Sequence, residues 1–426
     1  MGFQQGLSGL NASARNLDVI GHNIANANTT GFKASRSEFA AMIAASIGAS
    51  GGSSAGIGVE TAAIAQQFSQ GNISVTGNSL DVAINGNGFF TLQMPDGSRA
   101  YTRAGNFKLD ANTGDIVTND GARVLGYPTN PLTGQRTSST AGPLTLPTGA
   151  PIPAKQTTEI NAAFNLDARA PDAAGNPAAT PPIPATPRST YGTSINVYDS
   201  QGVAKPLNLY FEKNGANTWD VYTELDDPSA TPPVVATPIG QITFDNNGNI
   251  IGPAATPPAT GFTMDLTISP SPPNPNGLPN FQVELKLDGM TQFGSKFAPS
   301  ELTQDGYSSG QLTGINIGDD GLVLARYSNG VTRAEGQIAL ASFRNSQGLE
   351  PVGGNNWVET SASGQPMLGS PTDGNFGKLR SGALEDSNVD LTAELVNMMT
   401  AQRAYQANAQ TIKTQDQVMS TLVNLR

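Results

Sequence analysis

His22 is the one histidine in 426 residues, and cysteine is absent. A thiol nucleophile, a disulfide framework, a zinc cluster and a multi-histidine metal site therefore have nothing to be built from. A serine–histidine–aspartate triad would have to recruit His22, which stands in a stretch with the apolar spacing of a packed helix. Carboxylates are the remaining chemistry. Asp226–Asp227 and Asp319–Asp320 are adjacent pairs, and paired carboxylates serve glycoside hydrolysis. Neighbours on a strand point to opposite faces, however, so exposed loops are the better reading. The stretch DANTGD (110–115) begins like a calcium loop, yet Gly121 occupies the twelfth position, where a bidentate Glu is needed. It reads as a hairpin turn, as does FDNNGNI (244–250). NGNGFF at Asn85 carries two glycines of a dinucleotide fingerprint without the third, and no helical pattern follows. No catalytic, cofactor or metal site is expected, and no enzyme.

The charge balance narrows the partners. With 23 Lys+Arg against 34 Asp+Glu the net charge is -11, the wrong sign for nucleic acid, whose binders neutralise phosphate. No stretch approaches the roughly 18 consecutive apolar residues of a membrane span, so no membrane insertion is expected. The opening MGFQQGLSGL has no basic n-region, apolar core or cleavage site, so by these tests alone the chain is cytosolic. Hydrophobic residues make up 37% and charged residues 13%, with 48 Gly and 30 Pro in the balance. That profile fits extended β-rich or fibrous material better than a compact α/β enzyme.

The elements follow from where proline is allowed. None of the 30 prolines lies in 1–94 or 372–426, and 25 lie between Pro128 and Pro279. The ends are free to be helical and the middle is not. At the N-terminal end Phe3, Leu7, Leu10, Ala14, Leu17, Gly21 and Ile24 follow a seven-residue seam. At the C-terminal end Leu391, Leu395, Met398, Tyr405, Ala409, Ile412, Met419 and Val423 do the same, with Gln402 and Asp416 as polar exceptions. Asn388 or Ser387 is expected to cap this second helix, with Asp390 and Glu394 suiting its positive dipole end. Glycines 2, 6, 9 and 21 each cost about 1 kcal/mol against alanine in a helix interior, so the first helix is marginal alone. Since the intervening chain offers no helical layer, the two ends are each other's natural partners.

Between them the pattern turns to period two, first over 80–118 and again over 315–343, flanking a central stretch with strands of its own. Proline-rich runs at 178–187 and 270–277 punctuate that centre. Residues 46–58 are a Gly/Ser-rich segment, and EFAAMIAAS before it suggests a short helix. The expected fold is multidomain and mainly β with α-helical termini. It has a terminal helical pair (1–26 with 388–426), a linker region (27–70 with 371–387), a split β domain (71–147 with 294–370) and an inserted outer β domain (148–293).

Two passages carry a resemblance. LDVIGHNIANANTTGFK (17–33) and the stretch from residue 381 to 426 resemble the paired terminal signatures of the bacterial flagellar axial family of rod, hook and hook-associated proteins. Segments at 291–297, 304–314, 319–330 and 336–360 are similar to the hook branch of that family. The proline-rich middle shows no match. The resemblance implies a self-assembling structural subunit of a curved tube joining rod to filament, with the terminal helices as an inner coiled-coil layer. It implies a helical homopolymer whose partners are the distal rod protein, the hook cap, the hook–filament junction protein and the flagellar type III export gate. It also implies an extracellular place in the flagellum, reached without a cleaved signal. Asn23, Ile24, Asn26, Thr30, Gly31 and Phe32 fall on the N-terminal motif. Phe39 with Ile43 is similar to an export-gate motif of two aromatics four residues apart, with simple packing as the other reading. The alternatives are a distal rod protein, which would lack the large insert, and a secreted β-rich glycan-binding protein or glycosidase, which would leave both seven-residue seams unexplained.

Overall fold

The structure, a computed structural model, describes residues 2–43, 56–148, 151–227, 229, 235–254, 261–269 and 277–424. Most of the Gly/Ser-rich segment, most of the proline-rich run at 270–277, and the side chains of Phe3, Ile43 and Val423 lie outside the described residues. Among the described residues α-helix occurs at the two ends, in α1 (Gly2–Ala25) and α2 (Leu391–Asn424). Strands and turns fill the rest, so the chain is mainly β with helical termini.

Helix α1 stops where the Asn26 side-chain amide turns back to the His22 carbonyl. Gly31 then takes a φ of 69°, and a Cβ there would meet the Ala104 nitrogen at 2.5 Å. Only glycine fits that turn. Helix α2 is capped by Asp390, whose Oδ1 accepts from the N–H groups of Thr392 at 2.9 Å and Ala393 at 3.2 Å. The cap is thus neither Asn388 nor Ser387, and Asn388 is committed elsewhere. The short helix expected from EFAAMIAAS is instead strand β1 (Ser35–Ile43), antiparallel to β2 (Gly56–Gln66). Its alanine-rich sequence suits either period, and pairing with the β-branched residues Val59, Thr61 and Ile64 decides it. The stretch expected as a linker therefore carries a long hairpin.

Residues 1–149, 312–326 and 332–426 form one compact unit. Its main sheet interleaves both halves of the chain. Phe89–Gln93 pairs with Arg99–Thr102 and Arg123–Tyr127, while Thr332–Ile338 pairs with Arg123–Tyr127 and Asn356–Val358 with Arg99–Thr102. Strand Phe89–Gln93 is buried on both faces, as the period of two allows. Phe90 and Leu92 join Val82, Val124 and Ile338 in one core, and Phe89 joins Tyr101, Leu349 and Trp357 in another.

Residues 150–311 and 327–331 form the second unit, two five-stranded sheets sharing one core. Strand Glu159–Asp167 buries every second residue, Ile160, Ala162, Phe164 and Leu166, in a core with Phe211, Trp219 and Val221. The unit extends past the expected boundary at 293 because Ala298–Gln304 pairs antiparallel along Glu159–Asp167. Its entering and leaving segments are stapled by the bridges Ile152–Gly310 and Lys155–Tyr307. Asp305 tightens the staple, accepting from Lys155 Nζ at 2.8 Å and from the backbone N–H groups of Thr158 and Glu159. Partial burial opposes its ionisation, but these donors win and hold the carboxyl at about 2.

Candidate assembly surface

The residues of the N-terminal motif lie in a junction that binds the two ends of the chain together. The side-chain amide of Asn23, buried to 1% exposure, donates to the Ser35 carbonyl at 2.8 Å and accepts from the Ser35 N–H at 2.9 Å. Gly31 N–H donates to the Glu385 carbonyl at 2.7 Å, and the Thr30 carbonyl accepts from Asn355 Nδ2. Phe32 is buried beside the His22 ring. Ile24 and Asn26 are half-buried. The motif is thus a docking turn as much as a helix cap.

At the centre of the junction lies a group of three charges absent from the expected site residues. Lys33 Nζ donates to Glu385 Oε1 at 2.6 Å and to the Ser69 carbonyl at 2.8 Å. Arg103 Nη1 donates to Glu385 Oε2 at 3.1 Å, and Arg103 Nη2 to the Gly86 carbonyl. Burial pushes the Lys33 pKa down, with Glu385 opposing, and does the same to Arg103. Asn388 completes the knot, its Oδ1 accepting from the Ala34 N–H at 2.7 Å and its Nδ2 donating to the Gln67 carbonyl at 2.7 Å. The motif around Lys33, NANTTGFKAS, is itself polar, and Arg103 and Glu385 lie far off in sequence, so no local signal marks the group.

The helices run antiparallel and approach closely through small residues. A Cβ on Gly6 would meet Ile412 Cγ1 at 3.1 Å, and one on Gly9 would meet Asn408 Nδ2 at 3.0 Å. Asn408 Nδ2 donates to Ser13 Oγ at 3.3 Å. Glycines that weaken an isolated α1 therefore set the helix spacing. Of the expected seam, Leu10, Ala14, Leu17, Ile24, Met398, Ala409 and Ile412 are half-buried. Leu7, Leu391, Leu395, Tyr405 and Met419 remain 37–59% exposed. Among the described residues of α2, Ala401 is the one that is buried. On α1 it is Gly6, Gly9 and Ser13, beside the expected seam, that meet α2, where Ile412 is the seam residue opposite Gly6, and an apolar part of the seam faces solvent.

Phe39 is 44% exposed on β1. The carboxylate pairs and calcium-like stretch behave as loops: Gly114 N–H closes on the Asp110 carbonyl, Asp226 pairs with Arg188 at 3.2 Å, and Asp320 caps the turn before Leu322.

Four family models match the chain. They are a flagella basal body rod protein model over 3–33, a flagellar hook protein FlgE/F/G D1 domain over 83–163, a flagellar basal body protein FlaE D2 domain over 165–307, and a flagellar basal body rod FlgEFG protein C-terminal model over 380–425. The D2 match corrects the expectation that the middle has no recognisable relative. Flagellar hook protein FlgE of Salmonella typhimurium (strain LT2) is 44% identical over 432 residues, spanning 100% of both chains. That of Escherichia coli K12 is 44% identical over 437 residues with the same coverage. The Borreliella burgdorferi protein of that name is 35% identical over 449 residues, covering 99% of this chain and 98% of its own. The crystal structure of Helicobacter pylori flagellar hook protein FlgE2 shares the fold, with a TM-score of 0.52 at 16% identity over 73% of this chain and 100% of that one.

Proposed function

The chain belongs to the flagellar hook protein FlgE family and is a structural subunit of the hook rather than an enzyme, and from that premise we propose how its parts serve assembly. The α1–α2 pair forms the inner layer of a curved tube that passes torque from rod to filament. Leu7, Leu391, Leu395, Tyr405 and Met419 face neighbouring copies, and the half-buried seam residues hold the pair together. The subunit leaves the cell through the flagellar type III export gate, which reads Phe39 and Ile43. It meets the distal rod protein at one end of the tube, and the hook cap and hook–filament junction protein at the other.

The observation that carries this reading is the exposed apolar face of α2, set on a junction that fixes both chain ends. A large apolar face left in solvent is a surface awaiting a partner. Electron microscopy of the purified chain, concentrated at neutral pH, tests it. Short curved tubes are expected, lost when residues 391–426 are removed. Straight tubes or persistent monomers count against it.

A further inference from the structure

We propose that the apolar ridge at the start of α2 in one copy docks into a cavity beside His22 of a second copy, with Arg403 set against Asp18. This rests on the polymeric reading above and names the contact that builds the polymer. The cavity, about 650 Å³, is walled by Val19, Phe32, Ile64, Phe68, Leu349 and Trp357, with Asp18 and His22 also on its lining. That is the size of a binding pocket, and its apolar side chains are interspersed with polar ones such as Asn26, Gln66, Gln347 and Asn356. Ile64 is left 54% exposed.

The cavity's own α2 does not fill it. Gly6, Gly9 and Ser13 face α2, and Asp18, five residues beyond Ser13, points about 140° away round the helix. The α2 ridge is complementary. Leu391, Leu395 and Met399 follow at i, i+4 and i+8 and are 42%, 51% and 52% exposed, a ridge of the kind that fits grooves. Arg403 continues it by one more step. Asp18 and Arg403 are both exposed, and neither makes an ion pair among the described residues. The other exposed apolar pair nearby, Phe39 and Met42, is flanked by Arg36 and Glu38, which neutralise each other at 2.8 Å. The hairpin thus brings no free cation to Asp18. Because cavity and ridge are different patches, the contact is heterologous and propagates head to tail, into a ring or an open helix, rather than closing a two-fold dimer.

The absence of cysteine gives a clean test. A chain with His22→Cys and Leu395→Cys, each single substitution first shown to form tubes, should give a ladder of disulfide-linked multimers when oxidised as polymer and none when oxidised as dilute monomer. Asp18→Arg and Arg403→Asp should each raise the critical concentration about two- to fivefold, the range of an exposed ion pair. An equal mixture of those two chains should restore it, and since neither carries a matched pair alone, rescue reports a contact between copies. Tubes without a ladder, a ladder from Phe39→Cys in place of Leu395→Cys, or no rescue on mixing overturns the proposal. Failure of the unsubstituted chain to form tubes overturns the assembly reading itself, and this contact with it.

Discussion

Lys33 Nζ and Glu385 Oε1 stand 2.6 Å apart, both side chains fully buried, although 352 positions separate them in the chain. Arg103 binds the second oxygen of the same carboxylate. One anion therefore serves two buried cations, and the three residues are not equivalent.

Glu385→Gln should be the most damaging change in the junction. It leaves two cations buried without a counter-charge, a loss of about 3–5 kcal/mol. Lys33→Met leaves a neutral Arg103–Glu385 pair but takes a donor from the Ser69 carbonyl and from Glu385, and should cost less, about 1–3 kcal/mol. Denaturant unfolding monitored at Trp357 checks the ranking, and equal losses would contradict the arrangement.

The glycines of α1 should respond with opposite signs. Gly21 has nothing within 4 Å of an added Cβ, so Gly21→Ala should stabilise the helix by about 0.5–1 kcal/mol. Gly9→Leu must push against Asn408 and should cost about 1–3 kcal/mol. Circular dichroism of thermal unfolding reads both.

The inserted unit should lose stability in acid through Asp305. Its folded carboxyl is held at about 2 against an ordinary value of 3.8. The folded state therefore gains from this group above about pH 4 and loses that gain as pH falls toward 2. Asp305→Asn should flatten that part of the pH profile, measured by unfolding of the full chain with and without the substitution.

Phe39→Ala should lower the amount of subunit exported while leaving the polymerisation of purified chain unchanged, since the ring is half in solvent. Secretion assays and the critical concentration, measured on the same variant, decide. Normal export with defective tubes would make Phe39 a contact between copies.

What the sequence reveals depends on the distance over which each feature is determined. Both helices are legible because proline and a seven-residue period act locally. Strand β1 is not, because an alanine-rich segment takes its conformation from β2, and no residue of 35–43 announces that partner. The cap at Asp390 is obscured by competing residues at 387 and 388, and Asn388 is drawn off by a hydrogen bond to Ala34, at the opposite end of the chain. The seam is legible as a pattern but not as a surface. Period alone does not say that Gly6 and Gly9 face α2 while Leu391 and Leu395 face away. The junction of Lys33, Arg103 and Glu385 spans three distant segments, and nothing local marks it.

The staple formed by Ile152–Gly310 and Lys155–Tyr307 has a mechanical consequence. Tension applied between the terminal helices is carried through the Glu385 junction and the interleaved sheet of the first unit. It does not run along residues 150–311, because that segment departs and returns through a closed clamp. The inserted unit is thus a side branch off the load-bearing path, not a link in series with it. It is free to lengthen or shorten without breaking the path.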